Sequence, residues 1–198
     1  MRVIVVGRGP LAEPLAELAE RAEHTVTWVQ QAPPPWSAVA TPDLVILAGS
    51  STAVQTLVEQ ITASIADYVI VVDATTPTVD DRTGDDAERQ RPGTAWIPAL
   101  LRGARIVRAF ASVPAEALEA VLNKPTSAET TRLAVPLAGD DRDAKTVVAT
   151  FVRTIGLEPF DVGSLRTADV LAPGGALWGK ALNQTEMLEA VGELSGDG

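Results

Sequence analysis

The sequence predicts an α/β protein built on a single doubly wound, mainly parallel sheet with a small C-terminal extension. Three observations predict it. Short aliphatic, β-branched runs alternate with stretches of helical periodicity along the whole chain. These runs are continuous rather than interleaved with polar residues, as expected of strands covered on both faces. Hydrophobic residues make up 46% of the chain but aromatics only 4%, so the core must be filled by Val, Leu, Ile and Ala.

The elements follow in order. Arg2 to Val6 is a buried-strand run that ends at Gly7. Leu11, Leu15, Leu18, Ala19 and Ala22 recur at helical spacing, with Pro14 near the first turn, where it costs least. Thr25 to Val29 is a second strand, followed by the connection QQAPPPW, which suits neither a helix nor a central strand. Asp43 leads into a third strand, LVILA. Ser50 or Ser51 can then cap a helix to about Ala66, with Val54, Leu57, Val58 and Ile61 on one face. Tyr68 to Val72 is a fourth strand, closed by Asp73. The polar, non-periodic stretch DDRTGDDAERQRPG is expected as a solvated loop rather than a lid.

Beyond that loop, Pro98 to Leu101 predicts one helical turn, Ile106 to Phe110 a strand, Ala115 to Leu122 a short helix, and Leu133 to Ala138 a strand ending at Gly139. Asp140 or Asp141 caps a helix to about Ile155, and Gly156 stands where a C-terminal cap glycine belongs. Pro159 to Val162 predicts the last strand. Residues from Ser164 to Leu194 are helical in pattern, broken at Ala172 to Gly175, and the tail is expected to fray. The expected division is a nucleotide-binding unit over residues 1–163 and a helical extension over 164–198 packed on the same unit.

The chain has 198 residues, a length that suits one domain. It holds no cysteine and one histidine, His24, which excludes disulfides, thiol nucleophiles and Cys- or His-cluster metal sites. The net charge of −10 argues against nucleic acid and against an anionic membrane surface. No run approaches about 18 apolar residues, and the N-terminal apolar stretch is too short for a signal peptide, so a cytoplasmic protein is expected. A chain so poor in reactive side chains either borrows a cofactor or does no chemistry.

One motif points to the cofactor. Gly7-Arg8-Gly9-Pro10-Leu11-Ala12 reads G-x-G-x-x-A, follows a strand and opens a helix. In that context Gly7 allows the tight turn, Gly9 lets the backbone approach a pyrophosphate, and Ala12 permits close helix–strand packing. The helix start then offers N–H groups and a partial positive charge to phosphates. This is the Rossmann-like fingerprint of NAD(P) binding. After the second strand, where an acid selects NAD and an Arg selects NADP, the chain carries neutral Gln30 and Gln31. Arg8 is the cation nearest in sequence, which favours NADP while leaving NAD possible. Two more turns belong to the same sheet edge: Ala48-Gly49-Ser50, and the stretch after Asp73 that contains Ala74 and Thr75. No metal ligands and no catalytic acid, base or nucleophile stand out.

Over nearly its whole length the chain resembles the coenzyme F420-dependent NADP oxidoreductases, the deazaflavin:NADP reductase family. RVIVVGRGPLAEPLAEL resembles that family's opening strand, turn and helix, and DLVILA, VIVVDATTP and GARIVRAFASVP resemble its later strands and their exits. The most specific stretch is VPLAGDDRDAKTVVATFVRTIGLEPFDVGSL. APGGALWGKAL is similar to the segment that helps close the deazaflavin side. Related small Rossmann oxidoreductases include metal reductases.

The resemblance implies hydride transfer between NADP(H) and a deazaflavin or similar small acceptor, with the protein supplying orientation and a dry pocket. It also implies a homodimer, and a substrate side formed by Phe110, Ala111, Ser112 and Trp178. The departures are Gln30-Gln31, where the family commonly has a polar-basic pair; Ala111, where a polar residue is common; and Thr76 in place of Asn. They keep open a second reading, in which the cofactor site has drifted and the protein is a small-molecule-binding module or non-redox catalyst. Flavin or ferric reduction with NAD(P)H is a third.

Some residues favour structural roles. His24, at a helix–strand junction, is expected to cap or pack rather than catalyse. Trp178 can wall a ring pocket or sit in the core. Leu177, Leu182, Met187, Leu188 and Val191 form an apolar stripe that suits either a dimer face or packing within the monomer.

Overall fold

The computed structural model describes residues 1–31, 42–61, 69–76, 97–123 and 132–196. Its strands are β1 (Arg2–Val6), β2 (Thr25–Val29), β3 (Leu44–Ser50), β4 (Ile70–Thr76), β5 (Arg105–Ala109), β6 (Ala134–Gly139) and β7 (Glu158–Gly163). They form one sheet in the order β2-β1-β3-β4-β5-β6-β7. Every pair is parallel except β5 with β6, so the expectation of a mainly parallel sheet holds with one reversal. The helices are α1 (Ala12–Arg21), α2 (Ser51–Ile61), α3 (Ile97–Leu100), α4 (Ala115–Asn123), α5 (Arg142–Thr154) and α6 (Gln184–Gly196), with a 3-10 helix over Leu165–Leu171.

Strand periodicity divides the core into two layers. Val3, Val5, Leu44, Ile46 and Val72 face α1, α4 and α5 through Leu15, Leu118, Val148 and Phe151. Their neighbours Ile4, Val6, Val45, Leu47 and Val71 face α2 and α3 through Val54, Val58, Ile61 and Ile97. Each fully buried aliphatic side chain contributes about 1.5–3 kcal/mol, so two-sided burial of β1, β3 and β4 makes them the stable centre of the sheet.

Local signals explain the α5 unit. Asp141 Oδ1 accepts from the Ala144 backbone N–H at 2.8 Å, and Gly156 turns the chain at φ +86° just past the helix. The chain then re-enters the sheet as β7.

The C-terminal extension covers β6 and β7. Ala168, Leu171, Leu177 and Met187 pack on Ala134 and Ala138 in a third cluster. The extension is less helical than its periodicity predicts. Its first part is a 3-10 helix, and α6 begins only where the Asn183 carboxamide oxygen accepts from the N–H groups of Thr185 and Glu186. The apolar stripe is mostly used within the monomer: Leu177 and Met187 are buried, while Leu188 points outward.

His24 sits at the end of the sheet remote from the glycine turn. Its Nδ1 lies 3.1 Å from the Met1 ammonium, its Nε2 lies 2.8 Å from Thr154 Oγ1, and its ring packs tilted against Phe151. This is the packing role expected of it. Tyr68, the PPPW connection and the DDRTGDDAERQRPG stretch lie outside the described residues.

Candidate functional site

The strand order reverses beside β1. The chain runs from β1 to β2 on one side and then returns to β3 on the other. Helices that leave β1 and β3 therefore diverge, opening a crevice at the carboxyl ends of the two strands. Gly7 and Gly49 close its floor, backbone against backbone. A Cβ on Gly7 would overlap the Ala48 carbonyl oxygen, and a Cβ on Gly49 would lie 2.5 Å from the Arg8 carbonyl oxygen. Gly9, at φ +138°, differs: its absent Cβ would meet nothing nearer than Gly49 Cα at 3.7 Å, so the space above it is open.

The turn is pinned from β2. The Gly7 N–H donates to the Val29 carbonyl at 2.9 Å, and Trp28 Nε1 donates to the Gly7 carbonyl at 3.0 Å. The Ala12 N–H bonds the Gly9 carbonyl at 3.1 Å as α1 begins. Leu11, at the N-cap, provides no side-chain cap, so the first N–H groups of the helix receive no hydrogen bond from it, while Glu13 stands in the first turn. This arrangement, with open space at Gly9 above an uncapped helix start, fits a bound pyrophosphate.

Beside the turn lies a cavity of about 280 Å³. Pro10 and Leu11 form the wall next to the glycine turn, with Gly49 and Thr76 from β3 and β4 below. The turn from Ala111 to Pro114 forms the far wall, leading into Ala115 and Glu116 at the start of α4. Trp178 and Gly179 from the extension complete it. The last wall is anchored, because the Gly179 N–H donates to the Ser112 carbonyl at 2.8 Å. The far wall begins at Phe110, a fully buried residue at φ +65°. A bulky side chain in that conformation is costly and persists only where its surroundings dictate it.

The candidate residues distribute unevenly over this site. Pro10, Leu11, Gly49, Ala111, Ser112 and Trp178 line the cavity together. Gly7 and Ala48 form the packed floor, and Ser50 is half-buried where β3 passes into α2. Ala74 and Thr75 are buried below the cavity, and Thr76 lines it instead. Phe110 belongs to the core, supporting the wall from behind. Gln30 is half-buried and Gln31 exposed at the end of β2. Arg8 is exposed and forms no ion pair with a described residue. Val113 to Glu116 and Gly179 were not foreseen. The one available signal was S-V-P-A-E, a helix start at the carboxyl end of a strand.

Beneath the cavity, Asp73 and Arg108 pair across β4 and β5. Arg108 Nη1 donates to Asp73 Oδ2 at 2.6 Å, and both side chains are at most 1% exposed. Asp73 Oδ1 accepts from the Thr75 N–H at 3.0 Å and from Thr75 Oγ1 at 2.6 Å. Among the described residues, no group of three or more acidic or histidine side chains could hold a metal ion, and no helix is long and apolar enough to cross a membrane.

The fold places the chain in a class: α/β proteins with a Rossmann-like architecture. Among solved structures of that architecture, it matches a hypothetical protein of Sinorhizobium meliloti with a TM-score of 0.71 and 23% identity, covering 93% of this chain and 96% of that one. It matches a putative F420-dependent NADP reductase of Arthrobacter with a TM-score of 0.65 and 20% identity, covering 93% and 100%. A 3-hydroxyisobutyrate dehydrogenase of Mycobacterium tuberculosis follows at a TM-score of 0.60 and 17% identity, with 85% of this chain matching 57% of that one. No protein-family model matches the chain, nor does any curated protein.

Proposed function

We propose that the protein is an NAD(P)-dependent oxidoreductase that passes hydride between NADP(H) and a small acceptor seated in the cavity beside the glycine turn. The observation that carries this reading is the open space at Gly9 at the start of α1, next in the chain to Pro10 and Leu11, which line a cavity walled also by Ala111, Ser112 and Trp178. It is the place where a dinucleotide's phosphates and ring would lie in this fold. Three structural neighbours titled as an NADP reductase, a dehydrogenase and an imine reductase support the reading at the level of fold.

When bound, the nicotinamide supplies the redox chemistry. The chain's residues bind and orient. The N–H groups at the start of α1 would hold the pyrophosphate, Arg8 and Gln30 would meet the 2′ end, and Trp178 with the Ala111–Ser112 turn would wall the ring and shield it from water. The sequence resemblance favours a deazaflavin as the acceptor, with coenzyme F420 as its natural form.

Titration of the protein with NADPH and NADH, followed by tryptophan emission, tests the reading. Micromolar binding of NADPH is expected, tighter than NADH. No binding of either at millimolar concentration would overturn it. The neutral Gln30-Gln31 pair supports the alternative, a binding module that retains the turn but not the redox role. Nucleotide binding without reduction of any deazaflavin, flavin or ferric acceptor would favour that alternative.

A further inference from the structure

Where β4 and β5 part, a buried ion pair joins them. The two strands are in register from Ile70 with Arg105 up to Asp73 with Arg108, and there their pairing stops. Past that point β4 continues along β3 to Thr76, while β5 leaves the sheet through Phe110. Both branches line the cavity, through Thr76 on one side and Ala111 and Ser112 on the other. Asp73 and Arg108 therefore form the last tie below the fork in which the cavity lies.

The chemistry of the pair is better suited to fixing geometry than to adding stability. Arg108 Nε and Nη2 are buried with no hydrogen-bond partner among the described residues, so the guanidinium is desolvated and only partly compensated by them. Replacing such a pair with apolar residues is often neutral or stabilising. What the pair does fix is a link between the two branches. Asp73 receives Arg108 on one carboxylate oxygen and both donors of Thr75 on the other, so it ties β5 to the part of β4 that runs on along β3 to Thr76.

We propose that Arg108, Asp73 and Thr75 form a positioning relay that sets the width of the fork between Thr76 and the Ala111–Ser112 turn, and through it the fit of the bound nicotinamide ring. The role of the ring rests on the function proposed above; the role in ordering the cavity walls does not. None of the three residues lines the cavity, so each acts through its neighbours.

Two variants test it, because Arg108→Met alone leaves a lone buried carboxylate whose cost to folding would mask the effect. Thr75→Val removes one bond with little change in shape, and the paired Asp73→Leu/Arg108→Met removes both charges. Amide hydrogen exchange of the ligand-free proteins is measured together with thermal midpoints and NADPH affinity. In the paired variant, exchange is expected to accelerate at residues 74–76 and 110–113 while β1 and α5 stay protected and the midpoint moves by no more than about 5 °C. NADPH affinity is expected to fall about tenfold, and about threefold for Thr75→Val. Unchanged exchange at both walls of the fork overturns the relay whether or not the protein binds NADPH. Wild-type protein that binds no nicotinamide nucleotide, with variants that still loosen both walls, overturns the functional reading and supports the relay.

Discussion

The indole of Trp28 holds the carbonyl of Gly7: its Nε1 donates across 3.0 Å from β2 to the turn that ends β1. The bond fixes the peptide whose orientation decides where the following N–H groups point. Trp28→Phe keeps the ring and removes the donor. Expected results are a loss of about 1 kcal/mol in denaturant unfolding and NADPH binding weakened several-fold in a fluorescence titration.

The glycines of the turn are predicted to fail in different ways. Gly7→Ala drives a methyl into the Ala48 carbonyl, so the protein should lose about 8 °C or more in its thermal midpoint, or not fold at all. Gly9→Ala meets open space and only a strained φ, so it should fold with a cost of about 1 kcal/mol. It places its methyl where the pyrophosphate would lie, and NADPH affinity should fall roughly tenfold or more. Calorimetry and titration on the two variants separate these outcomes.

Arg8 is exposed in the glycine turn that follows β1. If it meets the 2′-phosphate, Arg8→Ala should weaken NADPH about tenfold and leave NADH unchanged, since a charge-assisted bond to phosphate is lost only in the first case. An equal loss for both nucleotides would assign Arg8 to the pyrophosphate instead.

His24 makes stability depend on pH. Burial, and secondarily the Met1 ammonium, holds its pKa below the ordinary value of 6.5. The folded state therefore binds fewer protons than the unfolded state just below that value. His24's contribution is fully present above about pH 6.5 and is lost as pH falls toward and through the depressed pKa. Asp43, lowered by the Arg2 backbone and side chain, acts only near and below its ordinary 3.8, so it does not interfere in the His24 window. The thermal midpoint of the wild type should fall between about pH 7 and 5, and His24→Asn should flatten that fall. The hydride transfer proposed above, placed at the other end of the sheet, should survive the substitution.

The homodimer implied by the sequence resemblance is tested by light scattering after size exclusion. A particle of twice the 20.7 kDa chain mass is expected. Because Leu177 and Met187 are already buried in the monomer, Leu188→Glu should disturb that mass only if α6 forms the interface.

Much of the site was legible because local physics dictates it. The run ending at Gly7, the small residues at 9 and 12, and the strand exit at Gly49 each carry their own constraint, and the sheet order brings them together. The relations across strands were hidden. Arg108 in RIVRA reads as an ordinary strand residue, and nothing local shows that it is fully buried against Asp73. Asp73 reads as the end of its strand, but pairing with β3 carries β4 on to Thr76, so the lining residue is one position beyond those expected. The reversal between β5 and β6 has no local signal. Phe110 departs from its intrinsic preference because core packing on one side and the turn on the other leave it no alternative.

The bond from the Gly179 N–H to the Ser112 carbonyl has a consequence for biosynthesis. The glycine turn is synthesised well before Trp178 and Gly179, which complete the cavity. A nascent chain can settle its central strands long before it owns a complete cavity. A ligand that needs the whole cavity would therefore stabilise the protein only after the extension has docked.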